Sequence, residues 1–332
     1  MEVNDQTLGV LKNLLGELLS TYDVTRKNAE AVLKSTESQN GFPILVLTLV
    51  QLLVSSTARE DVAIRLSGAL VFKNMVKKRW QPSEEDADQV APISPADKEA
   101  IKTHLVELMC TAPKDVQSQL AEAVTLIAKH DFPYRWTDLI PQLVAKLAVQ
   151  DVHVVKGVML TANSIFKRYR NVEASDKLYS EIIVCLTGFQ EPLLIQFQAT
   201  SALVPNYAQS KPELMAIFET LRLMSRVFFS LNWQDIPEFF EENMAPWMAE
   251  FAKYLSYTNP ILVDQSEDAE PGPIERLQAA ILENVNLYAA KYEEMFEPYL
   301  PQFTQLVWKL LMDVGAQVCS LLFFVVLFFC SF

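Results

Sequence analysis

Apolar residues recur at intervals of three and four along almost the whole chain, the spacing that lines one face of a helix. Val116, Leu120, Ala123, Val124 and Ile127 form one such stripe. Start signals stand between the stripes. Ser94-Pro95 followed by Asp97 supplies an N-cap hydroxyl, a proline at the first helical position and an acid near the positive dipole end. Thr111 to Asp115, with Pro113 inside it, repeats that pattern one helix later. Strand-type alternation bounded by turn dipeptides is not seen over any useful length. The pattern predicts an all-α chain.

The expected helices fall in pairs: 4–20 with 24–38, 42–56 with 59–79, 94–110 with 113–130, and 134–149 with 151–170. Then follow 174–190 with 192–209, 211–231 with 236–257, and 273–290 with 296–314. Successive pairs start about 40 residues apart, widened where 81–93 forms a polar Pro-containing loop, which is the period of HEAT-type repeats. Leu139-Ile140-Pro141-Gln142-Leu143 is echoed by Tyr299-Leu300-Pro301-Gln302-Phe303, which adds weak support. One pair cannot bury its own apolar face, so neighbours bury it for each other. The expected architecture is an α-solenoid of HEAT-type helical pairs, about seven repeats of a right-handed superhelix. Its concave surface suits a protein or peptide partner better than chemistry.

Composition removes several functions. The 332 residues are 50% hydrophobic, enough for a core, with a formal net charge of −13 that opposes sequence-independent nucleic-acid binding. Eight glycines are spread so widely that no dinucleotide fingerprint, P-loop or nucleophile elbow can be assembled. His104, His130 and His153 stand singly, as helix-surface or capping residues, and no cysteine pair has metal-ligand spacing. Cys110 and Cys185 lie in apolar helical surroundings, as free thiols do inside cells. No N-glycosylation acceptor and no signal peptide are read, which places the body in the cytosol or nucleoplasm. No catalytic, cofactor-binding or metal-binding residue is assigned, and the chain is not read as an enzyme.

Specific residues then speak. Arg65 to Trp80, with Phe72-Lys73-Asn74, Lys77, Lys78 and Trp80, resembles the second helical repeat of importin-beta superfamily (karyopherin) receptors. Asp131-Phe132-Pro133-Tyr134-Arg135-Trp136-Thr137-Asp138-Leu139 is similar to another element of that family. Ser164 to Arg170, Asp235 to Met244 and Leu287 to Glu294 narrow the resemblance to the CAS-type exportin branch, which re-exports importin-alpha. It runs from the N-terminus to about residue 317. The resemblance implies a nuclear export receptor that binds Ran-GTP through its amino-terminal repeats. It further implies importin-alpha as cargo, weak contacts with Phe-Gly nucleoporins, and shuttling between nucleus and cytoplasm through the pore. A HEAT scaffold for a non-transport complex is the alternative.

Helical arithmetic adds one candidate surface. At roughly 100° per residue, Lys73 stacks on Lys77 and Asn74 on Lys78, filling a polar sector roughly 140° wide. Phe72, Val76 and Ala69 form its apolar edge. A basic face on an acidic chain suits an acidic partner. Charge alone reads it as a solvated face; the family resemblance assigns it to Ran. Lys167, Arg168 and Arg170 are read as solvated or salt-bridging. Trp136 with Phe132 and Pro133 is read as a helix-entry packing cluster, and Phe239, Phe240, Trp247 and Phe251 as core. Asp264 to Glu275 reads as a solvated acidic loop.

The expected organisation is Ran-binding HEAT repeats over 1–130, further CAS-like repeats over 131–317, and a segment outside the family pattern over 318–332. Thirteen of those last fifteen residues are apolar, with no charge and no amphipathic period. A translated intron, frameshift or gene-model error that truncates a longer receptor is one reading. A short membrane tail anchor is the other, although a spanning helix wants about 20 apolar residues.

Overall fold

The computed structural model describes residues 1–84, 90–149, 151–263 and 270–314, and the side chains up to residue 312. It is helical throughout, with no strand among the described residues. The apolar tail 318–332 and the first half of the acidic loop, 264–269, lie outside the described residues; Glu275 of that loop lies in the first turn of a helix instead. The chain divides into two compact units, Met1–Leu143 and Val144–Phe332.

The first unit holds α1 (Asp5–Leu18), α2 (Asp23–Thr36), α3 (Phe42–Leu53), α4 (Arg59–Arg79), α5 (Pro95–Thr111) and α6 (Lys114–Asp131). They pair as read, α1 with α2, α3 with α4, α5 with α6. First helices pack side by side (α1 on α3, α3 on α5), while α4 packs on α6. The Val116–Ile127 stripe is wholly buried, as its spacing requires. Ser94 Oγ accepts from Asp97 N at 3.1 Å, so α5 starts where its cap signal stood. The equivalent signal at Thr111 is not used. That hydroxyl donates back to Glu107 O at 3.1 Å inside α5, and α6 begins after Pro113 with no side-chain cap.

Two close approaches fix how these helices meet. A Cβ on Gly68 of α4 would stand 2.9 Å from Val50 Cγ2 of α3, so glycine sets the distance between the pair. Arg65, buried in α4, sends one guanidinium nitrogen to the carbonyls of Leu53, Val54 and Ser56 at 3.2, 3.1 and 2.7 Å. It thereby satisfies the open carbonyls at the end of α3.

Next, α7 (Leu139–Leu147) runs across the unit boundary, and α8 (Val152–Phe166) follows. The second unit continues with α9 (Asp176–Leu203), α10 (Lys211–Asn232), α11 (Glu238–Glu242), α12 (Met244–Leu255), α13 (Pro273–Lys291), α14 (Glu293–Phe296) and α15 (Leu300–Val314). Here the pairing read from the sequence is corrected. Residues 174–190 and 192–209 are not two helices: α9 continues through Pro192. Leu178, Ile182, Cys185, Phe189, Leu193 and Phe197 bury one unbroken stripe across it. Burial of that stripe outweighs the roughly 3 kcal/mol cost of an interior proline. Every later pair is displaced by one helix: α9 pairs with α10 and α12 with α13, while α15 packs on α12 as the next first helix.

By length and composition alone, α9 with the turn after it (Asp176–Tyr207) could cross a membrane. In the fold its stripe is covered by α10 and α12. An aromatic core fills this unit, with Phe228 against Trp247 at 4.4 Å and Phe197 against Trp247 at 5.1 Å between ring centroids. Phe240, Trp247 and Phe251 belong to it as read. Phe239 does not; it stays partly exposed and meets Phe240 edge-on.

Candidate functional site

The candidate surface is the outer face of α4. Ile64, Ala69, Phe72, Met75 and Val76 are buried, and they lock the rotation of this helix against its neighbours. What remains turned outward is Leu70, Asn74, Lys77 and Lys78, with Lys73 at the edge. The structure thus brings all four expected residues onto one side of one helix. Ala69, Phe72 and Val76, the apolar edge of that sector, are buried core.

The four do not share one environment. Lys73 is 17% exposed along its side chain, and its Nζ lies 3.5 Å from Glu122 Oε2 of α6. Lys78 reaches Glu37, at the end of α2, at 3.7 Å. Lys77 is exposed and makes no ion pair among the described residues. Lys77 and Asn74 are therefore open, Lys73 is matched by Glu122, and Lys78, half exposed, lies within reach of Glu37.

Reading the chain by residue type missed Leu70, 38% exposed between Asn74 and Lys77 on the helical wheel. Helical arithmetic could have placed it there, since residues 70, 74 and 77 fall on one stripe. Glu122 and Glu37 were beyond that arithmetic, because it does not say which helices become neighbours.

A second cluster joins the two sequence elements that carried the family resemblance. Trp80, the C-cap of α4, is buried, and the ammonium groups of Lys98 and Lys102 of α5 lie 5.2 and 5.9 Å from its ring centre. Lys102 Nζ pairs with Asp131 Oδ2 at 2.8 Å and donates to Arg135 O at 2.7 Å. The Asp131 carbonyl in turn accepts from Arg135 N and Trp136 N. Phe132, Pro133 and Trp136 are buried, as a packing cluster should be. Burial alone would lower the Lys102 pKa; hydrogen bonds to Asp131 and Glu99 outweigh it and hold the pKa above its ordinary value. This cluster is a packed joint between the end of α4, the start of α5 and the end of α6.

The remaining candidates resolve as structure. Arg168 pairs with Glu181 at 2.7 Å, and Arg170 donates to Ser230 and to the Arg226 carbonyl, whereas Lys167 is exposed. Burial pushes the Cys110 and Cys185 thiols up to about 12. His104 and His130 are exposed on α5 and α6. Among the described residues no group of His, Cys, Asp and Glu could hold a metal ion.

Comparison with known proteins bears on the region around α4 directly. The family model described as Importin-beta N-terminal domain matches residues 29–111, and the one described as Cse1 matches residues 165–323. Exportin-2 of Pagrus major is 39% identical over 318 residues, which cover 96% of this chain and 32% of that protein. The chain belongs to the importin-beta superfamily. Within it, the chain is similar to the CAS-type exportins. Exportin-2 of Homo sapiens is 38% identical, with the same coverage. The solved structure of "the exportin Cse1 in its cargo-free, cytoplasmic state" superposes with a TM-score of 0.85 at 33% identity, covering 98% of this chain and 34% of that one. The chain spans about a third of the length of the curated relatives it matches. Its α4 face falls inside the stretch matched as the importin-beta N-terminal domain.

Proposed function

We propose that the chain acts in nuclear export, binding the GTP form of Ran through Lys73, Asn74, Lys77 and Lys78, and importin-alpha as the cargo returned to the cytoplasm. Weak contacts with Phe-Gly nucleoporins would carry it through the pore, and it catalyses no reaction itself. The reading is carried by one observation: a lysine row on α4, with Lys77 and Lys78 exposed, on an otherwise acidic chain and inside the stretch similar to the importin-beta N-terminal domain. Cations at that face give an acidic partner surface its orientation and on-rate. Ran-GTP and cargo would each raise the affinity for the other by the same factor, since coupling between binding sites is reciprocal.

The test is recovery of the purified chain on immobilised Ran, loaded with GTP or with GDP. Preferential recovery on the GTP form is expected. Equal recovery on both forms would remove the transport reading and leave a HEAT scaffold.

A further inference from the structure

Within the Val144–Phe332 unit, one face carries charge opposite to that of the chain. On α10, Met215, Glu219, Arg222, Arg226 and Phe229 follow one another at steps of four, three, four and three, with Trp233 at the C-cap one turn on. All six are at least partly exposed, whereas the other sides of α10 pack on α8, α9 and α13.

Neighbouring helices complete the patch. Arg222 holds Glu219 through two hydrogen bonds of 2.9 and 2.7 Å. Burial pushes the Glu219 carboxyl up, and Arg222, with Lys156 of α8 and Arg276 of α13 behind it, outweighs this and holds it below the usual range. Arg226 reaches Glu283 of α13 at 3.5 Å. Burial, with the like charge of Arg226 beside it, pushes the Arg170 guanidinium down to about 10. Around two carboxylates the structure gathers five cations, four of them arginine, on a chain of net charge −13.

The same face has an aromatic step. Phe229 and Trp233 lie 5.3 Å apart, Arg170 stands 4.6 Å over the Phe229 ring, and Trp233 is 36% exposed. Arginine beside tryptophan and phenylalanine is the composition of an interface centre. Guanidinium forks match carboxylates in pairs, which ammonium groups do not.

We propose that this face of α8, α10 and α13 docks an acidic segment of a partner protein. Its carboxylates meet Arg222, Arg226 and Arg276, and an apolar side chain settles on the Phe229–Trp233 step. A nucleic-acid strand offers the same anionic chemistry, but its long phosphate backbone extends past the patch into the field of an acidic chain, whereas a short peptide stays within it. The proposal does not depend on Ran or on α4.

The test is fluorescence anisotropy on the whole chain at low salt, with a short fluorescein-labelled peptide that repeats Glu-Asp-Leu. A Lys-Lys-Leu peptide and a labelled oligothymidylate serve as comparisons. The acidic peptide is expected to bind and to weaken as salt rises, with Arg222→Glu plus Arg226→Glu lowering its affinity about tenfold or more. Arg276→Glu, at an exposed position, gives a second reading should the double variant lose its helical circular dichroism. Trp233→Ala is expected to weaken binding several-fold. No binding of the acidic peptide, equal affinity in the folded charge-reversed variants, or tighter binding of the oligothymidylate would overturn the proposal. Lys73→Glu with Lys77→Glu should leave this binding unchanged, so its outcome stays separate from that of the Ran reading.

Discussion

Lys73 and Glu122 face each other across α4 and α6, with Nζ 3.5 Å from Oε2. The carboxylate is half exposed, and such a pair contributes little to stability, about 0–1 kcal/mol. Its consequence is for binding: one lysine of the basic face is already matched from within, while Lys77 is open.

Lys73→Glu with Lys77→Glu is therefore expected to lower Ran-GTP affinity about tenfold or more, with far-ultraviolet circular dichroism unchanged. Glu122→Gln frees Lys73 and is expected to speed association at low salt, while moving the unfolding free energy by less than about 1 kcal/mol. Titration calorimetry and stopped-flow fluorescence measure the two effects. Unchanged affinity in the double variant returns the lysines to a solvated face.

The Lys102–Asp131 pair behaves differently, because its side chains are only 7% and 6% exposed. Lys102→Ala leaves Asp131 buried without its cation, and a loss of about 3–5 kcal/mol is expected in urea unfolding. Lys102→Met with Asp131→Asn should cost clearly less, since neither charge then remains. The folded-state pKa of Lys102 is raised, so its stabilisation is fully present below the ordinary value of 10.5 and is lost as pH rises through the folded value. Stability should accordingly fall more steeply above pH 10.5 in the wild type than in the Met/Asn variant.

Pro192 separates the two readings of α9. In a helix interior, proline leaves the Gly188 carbonyl without its usual amide partner. Pro192→Ala should raise the unfolding free energy by about 1–3 kcal/mol with an unchanged denaturant slope. If Pro192 instead opened a separate helix, alanine there would be neutral or destabilising.

The thiols of Cys110 and Cys185, pushed up to about 12 by burial, should stay unlabelled by a disulfide reagent at pH 8 in the folded chain. In a Cys319→Ser, Cys330→Ser background, two thiols should appear only on adding denaturant. Rapid labelling without denaturant would contradict their burial.

Much of this was legible in advance. The Val116–Ile127 stripe, the Ser94–Asp97 cap and the placing of Lys73, Asn74, Lys77 and Lys78 on one helix follow from local spacing alone. The failures share one cause. Thr111 and Pro192 are genuine local signals for a helix start, and each was overridden: Thr111 by a bond inside α5, Pro192 by an apolar stripe continuous across it. Leu70 went unread: it is an apolar residue that the rotation of α4 leaves outward.

What the sequence by itself determined is helix content, the basic row on α4 and the family, because each rests on residues near one another in the chain. The tertiary structure decided which helices pair after Pro192. It also decided which carboxylates stand opposite Lys73 and Lys78, and how cations from α8, α10 and α13 converge around Glu219 and Glu283. Those contacts join residues tens of positions apart, and they exist only once apolar burial has chosen how each helix is turned against its neighbours.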